Sequence, residues 1–288
     1  MRPKSFEYHR PETLKEASEI LYSNEDAKAL AGGQSLIPLM KLRIYSPEHI
    51  VSLSRIKEIN QKISLSKDSL EIGAMATHDM LATTDSVRNN FPLLSTAAAK
   101  IADQQIRNLG TIGGNIAHGD PSANLASALL SADTEVMVYG QDGKKTIPIN
   151  GFFQDLFTTS LEPGDIVTGF RIGLKPGYRQ SFLKISKSDT AFPIAFVASN
   201  LKVESRFVED ARISLGVAGP TPIRAEKAEK FLLKKELNPE NISKAAKLAV
   251  EGTEPPDDIH ASTEYRRHLL EVLVKRTLEE ISTGGRGD

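Results

Sequence analysis

Two pairs of adjacent glycines are the residues of this sequence whose type and spacing best suit chemistry. The first pair lies in residues 31–35, AGGQS, and the second in residues 111–115, TIGGN. Glycine has no Cβ, so backbone N–H groups at such positions can point into a concavity and approach an anion. Hydroxyl and amide side chains stand beside each pair. The pattern indicates either two loops around a ligand with two phosphates or two ordinary tight turns.

Several familiar sites are missing from the sequence. The dinucleotide fingerprint G-x-G-x-x-G, the G-K-[ST] ending of a P-loop and the nucleophile elbow G-x-S-x-G do not occur. The chain has no cysteine, which excludes disulfides, thiolate nucleophiles, cysteine-based zinc sites and an iron–sulfur cluster held by this chain. The histidines lack the i, i+4 spacing of a helical metal motif, and we predict that none binds a metal. They are His9, His49, His78, His118, His260 and His268.

The composition is that of a globular protein with one large domain or two domains of ordinary size. Of the 288 residues, 40% are hydrophobic and 25% are charged. Lys plus Arg number 36 against 37 for Asp plus Glu, a formal charge of -1, so no nucleic-acid partner is expected. The first ten residues, MRPKSFEYHR, form no apolar signal region, and no run approaches the roughly 18 apolar residues of a membrane span. We expect a cytoplasmic protein without a membrane span.

The periodicity of the apolar residues predicts the elements that position the two glycine pairs. Around the first pair we predict a helix at 11–21, a short buried strand at 26–31, a short helix after Pro38 and a strand at 49–53. Around the second pair we predict a strand at 69–72, a helix capped by Thr77, helices at 92–102 and 122–130, a hairpin at 135–148 and a strand at 165–172.

The segment 175–177, Lys-Pro-Gly, breaks the pattern and is predicted to separate two domains. Beyond it we predict strands at 181–185, 194–204 and 207–217, of which the last two pair antiparallel, and helices at 224–233, 241–250 and 264–281. The terminal GGRGD is predicted to be disordered.

Two segments resemble a known family. Residues 30–43, LAGGQSLIPLMKLR, and 105–125, QIRNLGTIGGNIAHGDPSANL, are similar to the FAD-binding medium subunits of molybdenum hydroxylases, the family of xanthine dehydrogenase, carbon monoxide dehydrogenase and aldehyde oxidoreductase. The resemblance extends through the C-terminal part of the chain. It implies an α+β protein with a two-lobed, PCMH-type FAD-binding domain at 1–175, with lobes at about 1–55 and 56–175. A C-terminal domain of antiparallel strands with helices would follow at 176–288.

The resemblance also implies which residues bind FAD. The first segment would wrap the pyrophosphate through backbone amides, with Ala29, Leu30, Ala31, Gly32, Gly33, Gln34, Ser35 and Leu36. The second would support the diphosphate and the ribityl chain from the other side, with Thr111, Gly113, Gly114 and Asn115. Further positions implied by the family pattern are Ile101, His118, Asn124, Val167 and Lys184. Asp120 is included as a polar neighbour of the second segment.

Three polar positions stay open at this point. Asn124 stands where relatives usually carry Asp, which leaves its hydrogen-bonding role undecided. Lys184 either stabilises the anionic reduced flavin or is a solvated lysine on a strand. Arg107 either belongs to the ligand site as a polar neighbour of the second segment or pairs with a carboxylate and orients that segment.

The resemblance implies that this chain performs only part of a reaction. In the family, a small subunit holds two [2Fe–2S] clusters and a large subunit holds the molybdopterin cofactor, where the substrate is oxidised. FAD on this chain would pass the electrons to an external acceptor, such as oxygen, NAD or a quinone. Two alternatives are a stand-alone FAD-dependent oxidoreductase and a non-catalytic scaffold subunit that binds another phosphorylated ligand. The substrate, the acceptor and the stoichiometry do not follow from the sequence.

Overall fold

The first lobe is a small parallel sheet with two helices. The structure, a computed structural model, describes residues 2–284. The elements of this lobe are β1 (Glu7–His9), α1 (Leu14–Ser23), β2 (Ala27–Leu30), α2 (Leu36–Leu42) and β3 (His49–Ser52). The strands pair in parallel in the order β1-β3-β2. The first glycine pair therefore lies in the turn from β2 to α2.

Two predictions for this lobe need correction. Helix α1 begins at Leu14 because the Thr13 hydroxyl accepts a hydrogen bond from the Glu16 N–H and caps the helix there. Strand β2 is not buried as predicted, since Lys28 and Ala29 are exposed and only Ala27 is buried. Strand β1 was not predicted, because it is only three residues long.

The second lobe has an antiparallel sheet with helices inserted in its middle. Its elements are β4 (Ile63–Leu65), β5 (Ser69–Gly73), α3 (His78–Thr83), α4 (Asp85–Asn90), α5 (Pro92–Ala99), α6 (Gln104–Leu109), α7 (Ile112–His118), α8 (Asn124–Ser131), β6 (Glu135–Gly140), β7 (Gly143–Pro148), β8 (Phe153–Asp155), β9 (Thr158–Thr159) and β10 (Ile166–Gly173). The order is β4-β5-β10-β6-β7, with β8 and β9 as a separate ribbon. The predicted hairpin of β6 and β7 is confirmed.

Helices in this lobe differ from the prediction at their ends. Helix α5 ends at Ala99, before a turn in which Ala102 has a φ of 38°. Helix α8 begins at Asn124 and not at 122. Residues 104–109, for which no element was predicted, form α6. The second glycine pair, interpreted as a loop or a turn, lies in α7.

The C-terminal part is an antiparallel sheet covered by helices. Its elements are β11 (Tyr178–Ser186), β12 (Pro193–Glu204), β13 (Phe207–Gly216), β14 (Ile223–Arg224), α9 (Glu226–Leu232), α10 (Pro239–Ala249) and α11 (Thr263–Ser282). The strands follow the order β11-β12-β13-β14, and the predicted antiparallel pairing of β12 and β13 is confirmed. Except for Gly284, the tail predicted to be disordered lies outside the described residues.

Strand β12 connects the two hydrophobic cores of the molecule. Phe196 and Ala198 pack in the core that the two lobes share, while Ala195 and Val197 pack in the core under the C-terminal helices. Side chains alternate between the faces of a strand, so one face of this sheet covers α5 and α8 and the other faces α9 and α11. The C-terminal sheet therefore packs directly against α5 and α8, the helices before and after the segment that contains the second glycine pair.

Candidate functional site

The first glycine segment presents a row of backbone N–H groups. Gly33 has a φ of 71°, a conformation that L-residues rarely adopt, and it turns the chain between β2 and α2. Within residues 2–284, the N–H groups of residues 32–36 donate no hydrogen bond, and the side chain of Ser35 does not cap α2. The segment is partly exposed. Five successive backbone donors are therefore free to bind an acceptor from outside the chain.

The two glycine segments are in contact. A Cβ built on Gly32 would lie 2.1 Å from the carbonyl oxygen of Leu109, and one built on Gly114 would lie 3.7 Å from the Cβ of Ala31. Only glycine at position 32 lets the first segment pass this close to the chain at Leu109. The structure thus brings together two segments that lie far apart in the sequence.

The second segment has a different geometry from the first. Thr111 is the N-cap of α7, and its hydroxyl accepts a hydrogen bond from the Gly114 N–H at 3.2 Å. The N–H groups of Ile112 and Gly113 donate to the carbonyls of Ala76 and Ala74 at 3.0 and 2.9 Å. The expectation that this pair offers free backbone N–H groups is wrong, because the protein already satisfies them.

The two glycines of the second pair have separate roles. A Cβ on Gly113 would lie 2.7 Å from the Cβ of Ala74, so this glycine allows α7 to pack on the turn after β5. Gly114 is exposed, and a Cβ there would approach only the hydroxyl of Thr111, at 3.0 Å, and Ala31. Gly114 therefore provides the open surface of the second segment, beside the free donors of the first.

Three side chains hold the turn that contains Ile101. Arg107 donates from Nη1 to the carbonyls of Ile101 and Ala102 at 2.9 and 2.8 Å. Asn124 donates to the carbonyl of Lys100 at 3.2 Å, and Lys184 donates to the same carbonyl at 2.9 Å. Arg107 thus orients the chain through backbone carbonyls, and among the described residues it pairs with no carboxylate.

Asn124 acts as a donor in this structure. Its side chain is buried, and Nδ2 also donates to the carbonyl of Ala97 at 3.1 Å. Both partners are carbonyl oxygens, so the amide nitrogen and not the amide oxygen must face them. An ionised Asp accepts only, and it could not make these two bonds.

Lys184 is not a solvated lysine. Its Nζ donates to two carbonyls, those of Lys100 and Ala191 at 2.9 and 2.8 Å. Burial and the nearby charge of Lys100 lower its pKa, while Asp189 opposes that shift. One of its three N–H donors is left after these two bonds.

Other predicted residues lie around α7. The His118 ring packs against that of Phe157, with centroids 5.1 Å apart, and burial lowers its pKa while Asp120 raises it. Asp120 accepts a hydrogen bond from the Ser122 N–H at 2.8 Å and closes the turn before α8. Val167 is buried in β10, which packs against α7. Asn115 carries a buried Oδ1 without a partner in the described chain.

A buried histidine behind the second segment was not predicted as part of it. The His78 N–H donates to the carbonyl of Gly110 at 2.9 Å, and a Cβ on Gly110 would lie 2.7 Å from the His78 ring. Burial, assisted by the charge of Arg107, lowers the pKa of His78 to about 4. The confirmed cap at Thr77 marks the helix start, but nothing in the sequence showed that the next side chain points inward.

Comparison with known proteins identifies the family of the chain. Residues 4–174 match the family described as the FAD binding domain in molybdopterin dehydrogenase, and residues 180–281 match the carbon monoxide dehydrogenase flavoprotein C-terminal domain. The chain belongs to this family. It is the FAD-binding medium subunit of a molybdenum hydroxylase, and its cofactor is FAD.

Individual relatives cover almost the whole chain. The glyceraldehyde dehydrogenase medium chain of Sulfolobus acidocaldarius is 32% identical over 282 residues, which span 98% of this chain and 100% of the relative. The carbon monoxide dehydrogenase medium chain of Hydrogenophaga pseudoflava is 34% identical over 280 residues, which span 96% and 97%. Relatives with such different substrates are matched at similar identity, so the similarity does not select a substrate.

A solved structure shows the same fold. Carbon monoxide dehydrogenase from Hydrogenophaga pseudoflava, in a form that lacks the Mo-pyranopterin moiety of its molybdenum cofactor, superimposes with a TM-score of 0.94 at 36% identity, over 97% of this chain and 98% of that chain. The predicted α+β architecture is thereby confirmed. The chain is a flavoprotein subunit of a multi-subunit oxidoreductase. Among residues 2–284, no helix has the length and apolar character to cross a membrane.

Proposed function

We propose that this chain receives electrons from the [2Fe–2S] clusters of a small partner subunit and passes them, through FAD, to an external acceptor. A large molybdopterin subunit would oxidise the substrate, and the complex would work in the cytoplasm. FAD would lie along the surface formed by the two glycine segments. We also propose the division into an FAD-binding domain at 1–175 and a C-terminal domain at 176–288. The observation that carries the proposal is the row of unpaired N–H groups at residues 32–36.

The residues present suit a diphosphate on chemical grounds. Successive backbone N–H groups around a residue with positive φ form a nest that binds anions, and glycine lets the phosphate oxygens approach the backbone. Unpaired backbone donors are rare in folded proteins unless water or a ligand satisfies them. The exposed surface at Gly114 leaves space beside these donors.

The proposed site includes all the residues predicted from the sequence, but we assign some of them different roles. The first segment supplies backbone donors. The second supplies a glycine surface and side chains, because its own N–H groups are engaged. Asn124 and Arg107 act on the site indirectly, by fixing the turn at Ile101.

Bound FAD supplies the redox chemistry, since it can accept and release electrons. The chain binds and orients it, and Lys184 contributes a partly buried positive charge with one free N–H. A cation in a site of low dielectric favours any negative charge that forms beside it. No acid or base of this chain needs to contact the organic substrate of the large subunit.

Substitution of Gly114 by Leu tests the site. The added side chain would occupy the open surface, and position 114 has helical backbone in which Leu is favourable. We expect FAD to bind at least about tenfold more weakly, a loss of roughly 1.4 kcal/mol, as measured by flavin fluorescence titration of the apoprotein. Gly33 is less suitable, because its φ of 71° would strain any other residue.

Gly173→Leu is the matched control, since a Cβ at Gly173 would meet no atom within 4 Å and this residue ends β10. It should bind FAD normally. Normal FAD binding by Gly114→Leu would show that the ligand lies elsewhere. The role in electron transfer is tested separately, by purification from the native cell: a stand-alone oxidoreductase would not copurify with a cysteine-rich small chain.

A further inference from the structure

Three side chains at the edge of the first lobe form a cluster of metal-ligand type. They are Glu7 and His9 on β1 and His49 on β3, and no other such group of His and acidic residues is found in residues 2–284. Glu7 and His9 are two residues apart on a strand and so lie on one face, and the pairing of β1 with β3 places His49 opposite Glu7. The prediction that no histidine binds a metal used helical spacing, which cannot detect ligands from two strands.

We propose that Glu7, His9 and His49 bind a divalent transition-metal ion, zinc being the best match. The site lies outside the FAD surface and is independent of the proposed electron-transfer function. Its donors are two imidazole nitrogens and one carboxylate, the set that catalytic zinc sites combine with an open fourth position.

The distances between the donor atoms fit one ion. His9 Nε2 and His49 Nδ1 are 3.0 Å apart. Oε1 of Glu7 lies 3.7 Å from His9 Nε2, and Oε2 of Glu7 lies 3.6 Å from His49 Nδ1. Ligands at about 2.0–2.1 Å from a tetrahedral zinc ion are separated by roughly 3.3–3.4 Å. With one ligand atom from each residue, the three donor atoms lie within 4.8 Å of one another. The exposed carboxylate of Glu7 must turn to bring one oxygen closer to both nitrogens, whereas the nitrogens need only small shifts.

The protonation chemistry also suits a metal. Without an ion, one imidazole nitrogen must donate to the other, so one proton lies between the two rings. For a metal ion to bind both nitrogens, the proton between them moves to the other nitrogen of the ring that carries it. Both imidazoles then bind as neutral ligands, and the carboxylate offsets part of the ion's charge.

The site is accessible from solvent and lies on two paired strands. The two histidine side chains are 20% and 24% exposed and that of Glu7 is 65% exposed, so an ion can enter from solvent. His49 begins the central strand of the sheet, and β1 is its edge strand. A bound ion would therefore fasten the N-terminal edge strand to the centre of the first lobe.

Titration of the full chain, with FAD bound, by Zn²⁺ alone tests the proposal. We expect one ion per chain by isothermal calorimetry, and binding weaker by at least about tenfold in His49→Gln and in Glu7→Gln. His268→Gln is the matched control, because His268 is an exposed histidine outside the cluster, and it should bind like the wild type. Equal zinc binding by the wild type and the two cluster variants would overturn the proposal.

A second measurement does not depend on any variant being folded. The wild-type chain loaded with one equivalent of Co²⁺ should show the visible absorption of a four-coordinate ion, and X-ray absorption of the zinc form should show two imidazole ligands. A six-coordinate spectrum without imidazole scattering would overturn the proposal. Binding of FAD is unaffected by either result, so failure here leaves the electron-transfer proposal intact.

Discussion

At the scale of single residues, His78 is a buried histidine that packs against the backbone just before the second glycine pair. Its ring lies against Gly110, its Nδ1 has no partner among the described residues, and burial holds its pKa near 4 rather than at 6.5. A neutral, buried imidazole supports the backbone at the start of α7. Between about pH 4 and pH 6.5, His78 is therefore neutral in the folded chain and protonated in the unfolded chain.

This difference predicts a pH dependence of stability. As the pH falls from 6.5 towards 4, the unfolded chain gains a proton at His78 and the folded chain does not, so the free energy of unfolding decreases. Between about pH 7 and pH 5, we expect the wild type to lose roughly 2 kcal/mol more than His78→Gln. Urea unfolding at both pH values measures the loss. Substitution of the exposed His260 by Gln should leave the wild-type loss unchanged, and an equal loss in His78→Gln would exclude this mechanism.

The structural role of a residue could be predicted from the sequence where the residue type allows few roles. The glycines at 32 and 33 indicated close backbone approach, and the structure shows that approach at Leu109 and a positive φ at Gly33. The donor role of Asn124 was not predictable, because the carbonyls of Ala97 and Lys100 belong to another helix end. A side chain with both a donor and an acceptor is assigned only by its partners.

At the scale of elements, the turn after α5 depends on donors from α6, α8 and β11. Two of these, Asn124 and Lys184, share the carbonyl of Lys100, which accepts both bonds. The turn includes Ala102 with a φ of 38°, a strained conformation for alanine. The three side chains therefore hold a turn that the local sequence does not favour.

Replacing Asn124 by Asp tests this arrangement. The variant places carboxylate oxygens against two carbonyl oxygens, and we expect a loss of about 1–3 kcal/mol in the free energy of unfolding of the apoprotein at neutral pH. The loss should shrink as the pH falls, because a protonated carboxyl group can donate one bond. Urea unfolding measures both effects. Asn108→Asp is the control, since Asn108 is exposed and accepts from Gln104; a loss no larger than that of the control would contradict the donor role.

The secondary-structure elements were predicted well where a regular apolar pattern extends over many residues. The hairpin of β6 and β7 and the pairing of β12 with β13 are confirmed. Helix α7 was missed, because two adjacent glycines have low helix propensity and indicate a loop. The contacts of Gly113 with Ala74 and the cap by Thr111 override that propensity.

At the scale of the whole molecule, the C-terminal sheet packs against the second lobe through both apolar and charged contacts. The Pro-Gly break at 175–177 can be recognised in the sequence. The sequence does not indicate which face of the C-terminal sheet packs against the second lobe. The first half of β12, residues 193–198, is apolar on both faces, so it shows no alternation that would mark an inward side. The charged contacts are likewise long-range and were not predicted.

Asp133 is the centre of these charged contacts. Its carboxylate accepts from Lys175 and Arg212 at 2.8 Å and from Arg224 at 3.0 Å, and the last two belong to the C-terminal sheet. Burial alone would raise the pKa of Asp133, but the hydrogen bonds and charges of Lys175 and Arg212 outweigh it and lower the pKa. The ionised form therefore connects the two parts of the chain at neutral pH.

We predict that Asp133→Asn lowers the free energy of unfolding by about 1–2 kcal/mol, a value discounted because 35% of the side chain is exposed to solvent. The loss stays moderate because Arg224 keeps its bond to Glu229 and Arg212 keeps Asp210. Added salt should reduce the difference between wild type and variant, since screening weakens the charged contacts of the wild type. Urea unfolding at low and high ionic strength measures this difference in the free energy of unfolding. Asp142→Asn, in the exposed hairpin turn, is the control. If the two variants are equally stable, the apolar face of β12 alone holds the C-terminal sheet in place.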